Sequence, residues 1–147
     1  MSDKKKKNVF VEGPISPEKI STSIAYHQSK TEIGAHNIFL GQVRADTIEG
    51  KEVIAIEYSA YEEMAEKEFQ SIRESAFAKF DLICAHIYHS LGTVKAGEIC
   101  FFVFTSSAHR KAARQACRFL VDEIKANVPI FGKELFEDET HQWKVNQ

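Results

Sequence analysis

The stretch LICAHIYHSLGTVKAGEICFFVFT at residues 82–105 decides the fold. It predicts two strands, 82–89 and 98–105, joined across Leu91-Gly92 and a turn at residues 95–97. The second strand is almost entirely apolar, which is typical of a central strand covered on both faces. We therefore expect a β-hairpin in the middle of a sheet.

Helices are predicted on both sides of this hairpin. Apolar residues recur at helical spacing from Glu62 to Lys79. An earlier helix is indicated by Ser16-Pro17-Glu18, which combines an N-cap, a first-turn proline and a first-turn acid. Its expected inner face is Ile20, Ile24 and His27.

A third helix is predicted after Ser106-Ser107, which we assign to its N-cap, and Asn127 and Pro129 end it. The expected core stripe is Ala113, Ala116, Leu120 and Ile124. A second, mostly cationic stripe lies beside it and consists of Arg110, Arg114, Arg118, Val121 and Lys125.

The remaining segments predict short strands separated by polar turns. They are Val9 to Val11, Ala35 to Arg44, Val53 to Ser59, Ile130 to Glu137 and Gln142 to Val145, with a polar connection at residues 45–52. This order has more hairpins than crossovers. It predicts an α+β domain with a mostly antiparallel or mixed sheet and three main helices, in preference to a doubly wound parallel fold.

Length and composition set limits on the class of protein. The chain has 147 residues, 44% of them hydrophobic, and a formal net charge of −2. We expect a disordered basic tail at residues 1–8 and a single domain at residues 9–147. No apolar run is long enough for a membrane span or a signal peptide, so we expect a cytoplasmic protein that does not bind membranes. The charge disfavours nucleic acid as a partner.

Cysteines and histidines give no sign of a metal or cofactor. Cys84, Cys100 and Cys117 are too widely spaced for a CxxC motif and are expected to be reduced and buried. His86 and His89 are three residues apart on a predicted strand, so their rings should lie on opposite faces. There is no glycine-rich nucleotide motif, HExxH or GxSxG, and we expect neither a cofactor nor a metal.

The residues that remain favour binding of an anion. Residues 106–110 could offer backbone amides, hydroxyls, imidazole and guanidinium at a helix start, or they could be an ordinary cap with exposed side chains. Arg44 ends a strand after Gly41, where it could hold a carboxylate or phosphate or simply be solvated. Lys125 and Lys133 flank the turn at Pro129 and are candidates for acid–base chemistry.

Three motifs, taken together, resemble the large, catalytic subunit of molybdopterin synthase. They are Gly41-Gln42-Val43-Arg44, Ser107-Ala108-His109-Arg110, and Lys125 followed by Val128-Pro129-Ile130 and Lys133-Glu134, and the match is collinear from about Val9 to Trp143. The resemblance implies an α/β-hammerhead type of domain that forms the homodimer core of a heterotetramer. A small ubiquitin-like sulfur-carrier subunit with a Gly-Gly C-terminus would bind at each end.

The same resemblance implies a reaction. The carrier's C-terminal thiocarboxylate would deliver sulfur to cyclic pyranopterin monophosphate, and two transfers would build the dithiolene of molybdopterin. Because the sulfur arrives on the partner, no metal and no catalytic cysteine is implied. The implied substrate-binding residues are Gln42, Val43, Arg44, His109, Arg110, Gly132 and Glu134, and the implied catalytic residues are Lys125 and Lys133.

One departure from the family pattern bears on the second lysine. Many members have Trp-Lys-Lys/Arg-Glu where this chain has Phe131-Gly132-Lys133-Glu134, so the family's second essential lysine falls on Gly132. Neighbours on a regular strand face opposite sides. We therefore expect a bulge at Gly132 to turn Lys133 into the pocket. Two alternatives stay open, an anion- or RNA-binding module and an inactive family scaffold.

Overall fold

A computed structural model describes residues 9–145, and the predicted basic tail at residues 1–8 lies outside them. Three helices and eight strands follow in the order β1 (Phe10–Glu12), α1 (Pro17–His27), β2 (Ala35–Gln42), β3 (Thr47–Ile48), β4 (Lys51–Ala60), α2 (Glu62–Lys79), β5 (Cys84–Lys95), β6 (Ile99–Ser107), α3 (Arg110–Asn127), β7 (Ile130–Phe136) and β8 (His141–Trp143).

The strands form one sheet in the order β2-β6-β5-β4-β7-β8, with β1 beside β5 and β3 beside β4. Only β1 pairs in parallel among the described residues, and every other pairing is antiparallel. The β5–β6 hairpin lies inside the sheet, and residues 100–107 of β6 are all buried. The prediction of an α+β domain with three helices and a mostly antiparallel sheet is confirmed.

The hairpin differs from its prediction in the length of its first strand. β5 continues through Gly92 to Lys95, so Leu91-Gly92 lies within a strand and not in the connection. The cause is a change of partner, because β5 pairs with β6 up to His89 and with β4 from Gly92 onward. Gly92 allows the bend with a φ of +84°.

The predicted polar connection at residues 45–52 contains a small hairpin. β3 pairs with the start of β4 around Glu49-Gly50, and both turn residues have positive φ, 52° and 79°. Such backbone angles fit a two-residue hairpin turn. The polar composition of this segment hid the hairpin from the sequence pattern.

The third helix begins later than predicted, at Arg110, with His109 at the N-cap position. Ser106 and Ser107 instead complete β6, where they pair with His36 and Ala35 of β2. Their hydroxyls are buried and engaged, since Ser106 Oγ lies 2.7 Å from His36 Nδ1 and Ser107 donates to the His109 carbonyl. The assignment of both serines to the cap of the third helix is therefore wrong.

Apolar side chains pack on both faces of the sheet. The larger core lies under α2 and α3, and the predicted stripe of α3 is buried as expected: Ala113, Ala116, Leu120 and Ile124. The smaller core, around Phe102 and Phe104, lies under α1, which Ser16 caps by accepting from the Lys19 N–H at 3.2 Å. None of the helices in residues 9–145 is long and apolar enough to span a membrane.

Candidate active site

An open cleft of about 800 Å³ lies where the last turn of α3 meets β2, β4 and the β7–β8 pair. The larger core holds its walls in place, because α3 buries its apolar stripe there and leaves Lys125 at the rim. Its lining combines aromatic, cationic and acidic side chains, among them Phe39, Gln42, Arg44, Asp46, Tyr58, His89, Cys100, Phe101, Lys125, Glu134, Trp143 and Lys144.

The floor of the cleft carries the thiol of Cys100. The Tyr58 hydroxyl donates to Cys100 Sγ at 3.4 Å, and Cys100 Sγ donates to the Gly41 carbonyl at 3.5 Å. Burial raises the pKa of both the Cys100 thiol and the Tyr58 phenol. Both groups are therefore neutral at physiological pH, and Cys100 is poorly suited to act as a nucleophile. The prediction of three free, buried cysteines is confirmed.

His89 is a buried neutral base in the lining of the same cleft. Burial lowers the pKa of His89 to about 4, and its Nδ1–H donates to the Ser90 carbonyl at 2.8 Å. The ring packs 5.1 Å from the Tyr58 ring and 5.2 Å from the Phe101 ring, measured between centroids. The sequence pattern does not single out His89 as a lining residue, although its spacing from His86 places it on the face opposite that residue.

The predicted opposition of the two histidines is confirmed, because His86 faces α1 on the other side of the sheet. There His86 Nε2 lies 2.9 Å from His27 Nε2, and Lys30 Nζ lies 3.4 Å from Cys84 Sγ. The ligating atoms of His27, Cys84 and His86 all lie within 4.8 Å of one another. This cluster belongs to the packing under α1 and does not reach the cleft.

The first predicted segment reaches the cleft through Gln42 and Arg44. The β2–β6 register shifts between Gly41 and Gln42, and such a bulge re-aims the following side chain. A Cβ on Gly41 would lie 3.1 Å from the Cβ of Phe101, so a larger residue there would strain the pairing. Val43, between them in the predicted motif, is only 2% exposed and belongs to the core.

The second predicted segment lies elsewhere in this chain. His109 and Arg110 follow the end of β6 that pairs with Ala35, whereas Gln42 is at the opposite end of β2. Seven residues of extended strand correspond to roughly 23 Å. The structure therefore does not bring His109 and Arg110 to the cleft that holds Lys125.

β7 contributes Glu134 to the cleft but turns Lys133 away. Glu134 is 4% exposed and accepts from Gln142 Nε2 at 2.9 Å. Lys133 lies on the other face of β7, where its Nζ is 3.2 Å from Glu57 Oε1 and 5.7 Å from the centroid of the Trp143 ring. The β4–β7 register is regular from Ala55 to Ala60, so the prediction of a bulge at Gly132 is wrong, and Lys133 is not among the residues that line the cleft.

A lysine that the sequence did not single out lies in the cleft instead. Lys144 lines it, and its Nζ is 3.9 Å from Glu134 Oε2. Its position depends on the pairing of β8 with β7, which joins segments whose register the sequence pattern does not specify. Only the strand Gln142 to Val145, predicted without a register, pointed to this region.

The described residues thus form a mostly antiparallel α+β domain whose cleft places Arg44, Lys125 and Lys144 around a buried thiol. The profile of the MoaE protein family matches residues 10–127, and the chain belongs to this family. The resemblance found from the sequence motifs is thereby confirmed.

Named relatives agree with this assignment. The chain is 39% identical to the molybdopterin synthase catalytic subunit of Pyrococcus abyssi over 78% of this chain and 76% of that protein. It is 45% identical to the protein of that name from Drosophila willistoni, over 78% of this chain but only 31% of the insect protein. The chain likewise covers 62% of the rice protein, so it spans a part of several curated relatives.

Solved structures show the same fold. Molybdopterin synthase from Staphylococcus aureus superposes with a TM-score of 0.79 at 32% identity, covering 93% of this chain and 96% of that one. A complex of subunits 1 and 2 of molybdopterin-converting factor from Helicobacter pylori has a TM-score of 0.78 at 19% identity, which supports the fold alone. That match covers 91% of this chain and 87% of the other.

Proposed function

We propose that this chain is the catalytic subunit of a molybdopterin synthase. It transfers sulfur from the C-terminal thiocarboxylate of a small ubiquitin-like carrier to cyclic pyranopterin monophosphate. The observation that carries the proposal is the pairing of a cationic cleft with a thiol that is buried and protonated. Such a site suits an anionic substrate whose sulfur nucleophile is delivered by a partner.

Each transfer has a simple chemical balance. Each thiocarboxylate sulfur forms a carbon–sulfur bond to the pterin side chain and replaces a carbon–oxygen bond at that carbon. In one transfer the oxygen stays on phosphorus as the cyclic phosphate opens to a monoester, and in the other it leaves as water. Water then hydrolyses the acyl–sulfur bond, which leaves a carboxylate on the carrier and the sulfur on the pterin. Two carriers therefore supply the two sulfurs of one dithiolene. The protein contributes orientation and stabilisation of the charge that develops on oxygen and sulfur. No metal or cofactor of the protein takes part.

Lys125 and Arg44 have separate tasks in this proposal. Lys125 lies at the end of α3, with its Nζ 5.7 Å from the centroid of the Phe101 ring at the cleft floor. We assign it to the carrier tail and to charge stabilisation or proton transfer. Arg44 and Gln42, at the other wall, are assigned to the substrate, whose phosphate a guanidinium can hold with two parallel hydrogen bonds.

His109 and Arg110 belong to the site only if a second copy supplies them. Within the described residues β2 pairs only with β6, which leaves its outer edge available for another strand. Antiparallel pairing of two β2 strands about their midpoint would bring His109 and Arg110 of a second copy beside Gln42 and Arg44. We therefore infer a homodimer with two composite sites and one carrier at each.

The carrier tail would enter at the open rim beside Val145, which is 75% exposed. An extended Gly-Gly tail has no side chains to obstruct its approach to Lys125. The reaction is assigned to the cytoplasm, where reduced thiols such as those of this chain persist.

The test is reconstitution of the reaction. The purified protein is mixed with a thiocarboxylated carrier and cyclic pyranopterin monophosphate, and molybdopterin is followed as its oxidised fluorescent derivative. Wild type should form product, Lys125→Ala should lose at least about 100-fold in rate, and Lys95→Ala, an exposed lysine outside the cleft, should match wild type. Carrier binding without product would identify an inactive scaffold.

A further inference from the structure

The second lysine of the cleft is Lys144, which directly follows β8. We propose that Lys144 acts with Lys125 as the second anion-binding lysine of the site, in the place where this chain has Gly132. The inference rests on the proposed function and extends it to a residue outside the three sequence motifs.

Strand register places Lys144 opposite Gly132. Because Lys133 pairs with Trp143 and Glu134 with Gln142, the next position along each strand brings Gly132 and Lys144 together. The Lys144 N–H donates to the Gly132 carbonyl at 2.7 Å. Residues directly opposite each other in antiparallel strands project to the same face. A lysine at either position would therefore serve the same side of the sheet.

That side is the cleft. A Cβ added to Gly132 would lie 3.0 Å from Ile56 Cγ2 and 3.3 Å from Tyr58 Cε1, and both residues line the cleft. Glu134, two residues along β7, shares this face, whereas Lys133 pairs with Glu57 on the other. Because Gly132 has no side chain, Lys144 supplies the cationic group on this wall of the cleft.

Two further observations fix where the Lys144 ammonium lies. Its Nζ is 3.9 Å from the Glu134 carboxylate, which Gln142 holds in turn, and the side chain is 34% exposed. The positive charges of Lys125 and Lys144 both act to lower the pKa of the Cys100 thiol, against the larger effect of burial. Both ammonium groups therefore act electrostatically on the same thiol, which also lines the cleft.

The ligand chemistry is an anionic oxygen or sulfur group, which could belong to the pterin phosphate or to the thiocarboxylate tail. Glu134 positions the Lys144 ammonium. Because the Glu134 carboxylate is 3.9 Å from that ammonium, an incoming anion can displace the carboxylate or share the ammonium with it. A change confined to the KM for the pterin would indicate the phosphate. Weaker binding of the intact carrier, with unchanged binding of a carrier lacking its last two glycines, would indicate the tail.

The experiment compares Lys144→Ala with Lys133→Ala in the reconstituted reaction. We expect Lys144→Ala to reduce kcat/KM about 100-fold, Lys144→Arg to recover at least a tenth of wild-type activity, and Lys133→Ala to stay within about twofold. Circular dichroism and thermal melting of each variant establish that it is folded.

Equal, near-wild-type rates for Lys144→Ala and Lys133→Ala would overturn the inference while leaving the proposed function intact. A loss of activity in Lys133→Ala together with wild-type activity in Lys144→Ala would also overturn the inference. If wild type binds the carrier but forms no product, the proposed function is overturned. Even then, weaker binding of the carrier or the pterin by folded Lys144→Ala would support the role of Lys144 in anion binding.

Discussion

The Nε atom of Arg44 lies 2.5 Å from Oδ1 of Asp46, so the guanidinium assigned to the substrate phosphate already has a carboxylate partner. Both residues line the cleft, and the Asp46 hydrogen bond raises the pKa of Arg44. Asp46 accepts from Nε and Nη2 of Arg44, so a phosphate bound to the remaining donors lies close to a second negative charge. Asp46 therefore holds Arg44 along the wall of the cleft and weakens the binding of an anion to Arg44.

We expect Asp46→Asn to tighten binding of cyclic pyranopterin monophosphate about three- to tenfold, because the competing charge is removed from an exposed guanidinium. Isothermal titration at low and moderate salt measures the change, which should shrink as salt increases. Asp138→Asn is the matched control, since Asp138 is an exposed acid paired with Lys51 outside the cleft. Weaker binding in Asp46→Asn would show that Asp46 mainly positions Arg44.

A composite site predicts complementation between two inactive variants. Arg110→Ala and Lys125→Ala should each have little activity alone, because each removes one part of both sites in a homodimer. Mixed dimers contain one site in which both residues are intact. After unfolding and refolding together, random pairing should restore about a quarter of wild-type activity. If both residues acted within one chain, the mixture would stay as inactive as its components.

The buried thiol predicts that Cys100 is dispensable for the chemistry. Cys100→Ala should keep turnover within about threefold of wild type while lowering the free energy of unfolding by about 1–2 kcal/mol, since the Tyr58 hydroxyl loses its acceptor. Turnover and urea denaturation measure the two effects separately. Cys117→Ala, a buried thiol outside the cleft, controls for the loss of packing. A loss of turnover confined to Cys100→Ala would assign the thiol a chemical role.

Burial of neutral His89 predicts a loss of stability in acid. The folded-state pKa is about 4 and the unfolded value about 6.5, so between these values the unfolded chain binds the additional proton. The contribution of His89 is fully present above pH 6.5 and decreases as the pH falls to 4, by about 3 kcal/mol in total.

Urea denaturation at several pH values measures this decrease. His89→Gln should flatten the pH dependence between pH 6.5 and 4, whereas His141→Gln, at an exposed position, should leave it unchanged. An identical slope in wild type and His89→Gln would contradict the assignment of the transition to His89.

Local patterns in the sequence were sufficient for some parts of the fold. α2 has the predicted bounds, Glu62–Lys79, because its periodic apolar positions all contact one core. Ser106-Ser107 has the composition of a helix cap, but pairing of β6 with β2 takes precedence over that local preference. A strand pairing of this kind depends on residues 70 positions apart, which no local pattern reports.

The same reason explains what was missed in the site. Helical spacing predicts the position of Lys125, and the end of a predicted strand marks Arg44 as a candidate anion-binding residue. Lys144 and His89 enter the cleft through strand register, which single-chain patterns leave open. His109 and Arg110 resembled site residues in sequence, yet their distance from the cleft becomes evident only from the direction of β2.

The most direct measurement of the central claim traces the origin of the sulfur. The carrier is prepared with a ³⁴S-labelled thiocarboxylate and reacted with unlabelled protein and cyclic pyranopterin monophosphate, and the product is analysed by mass spectrometry. We predict molybdopterin with both dithiolene sulfurs labelled, and no product from Lys125→Ala. Product containing unlabelled sulfur would show that a thiol of this chain is the donor and would contradict the account.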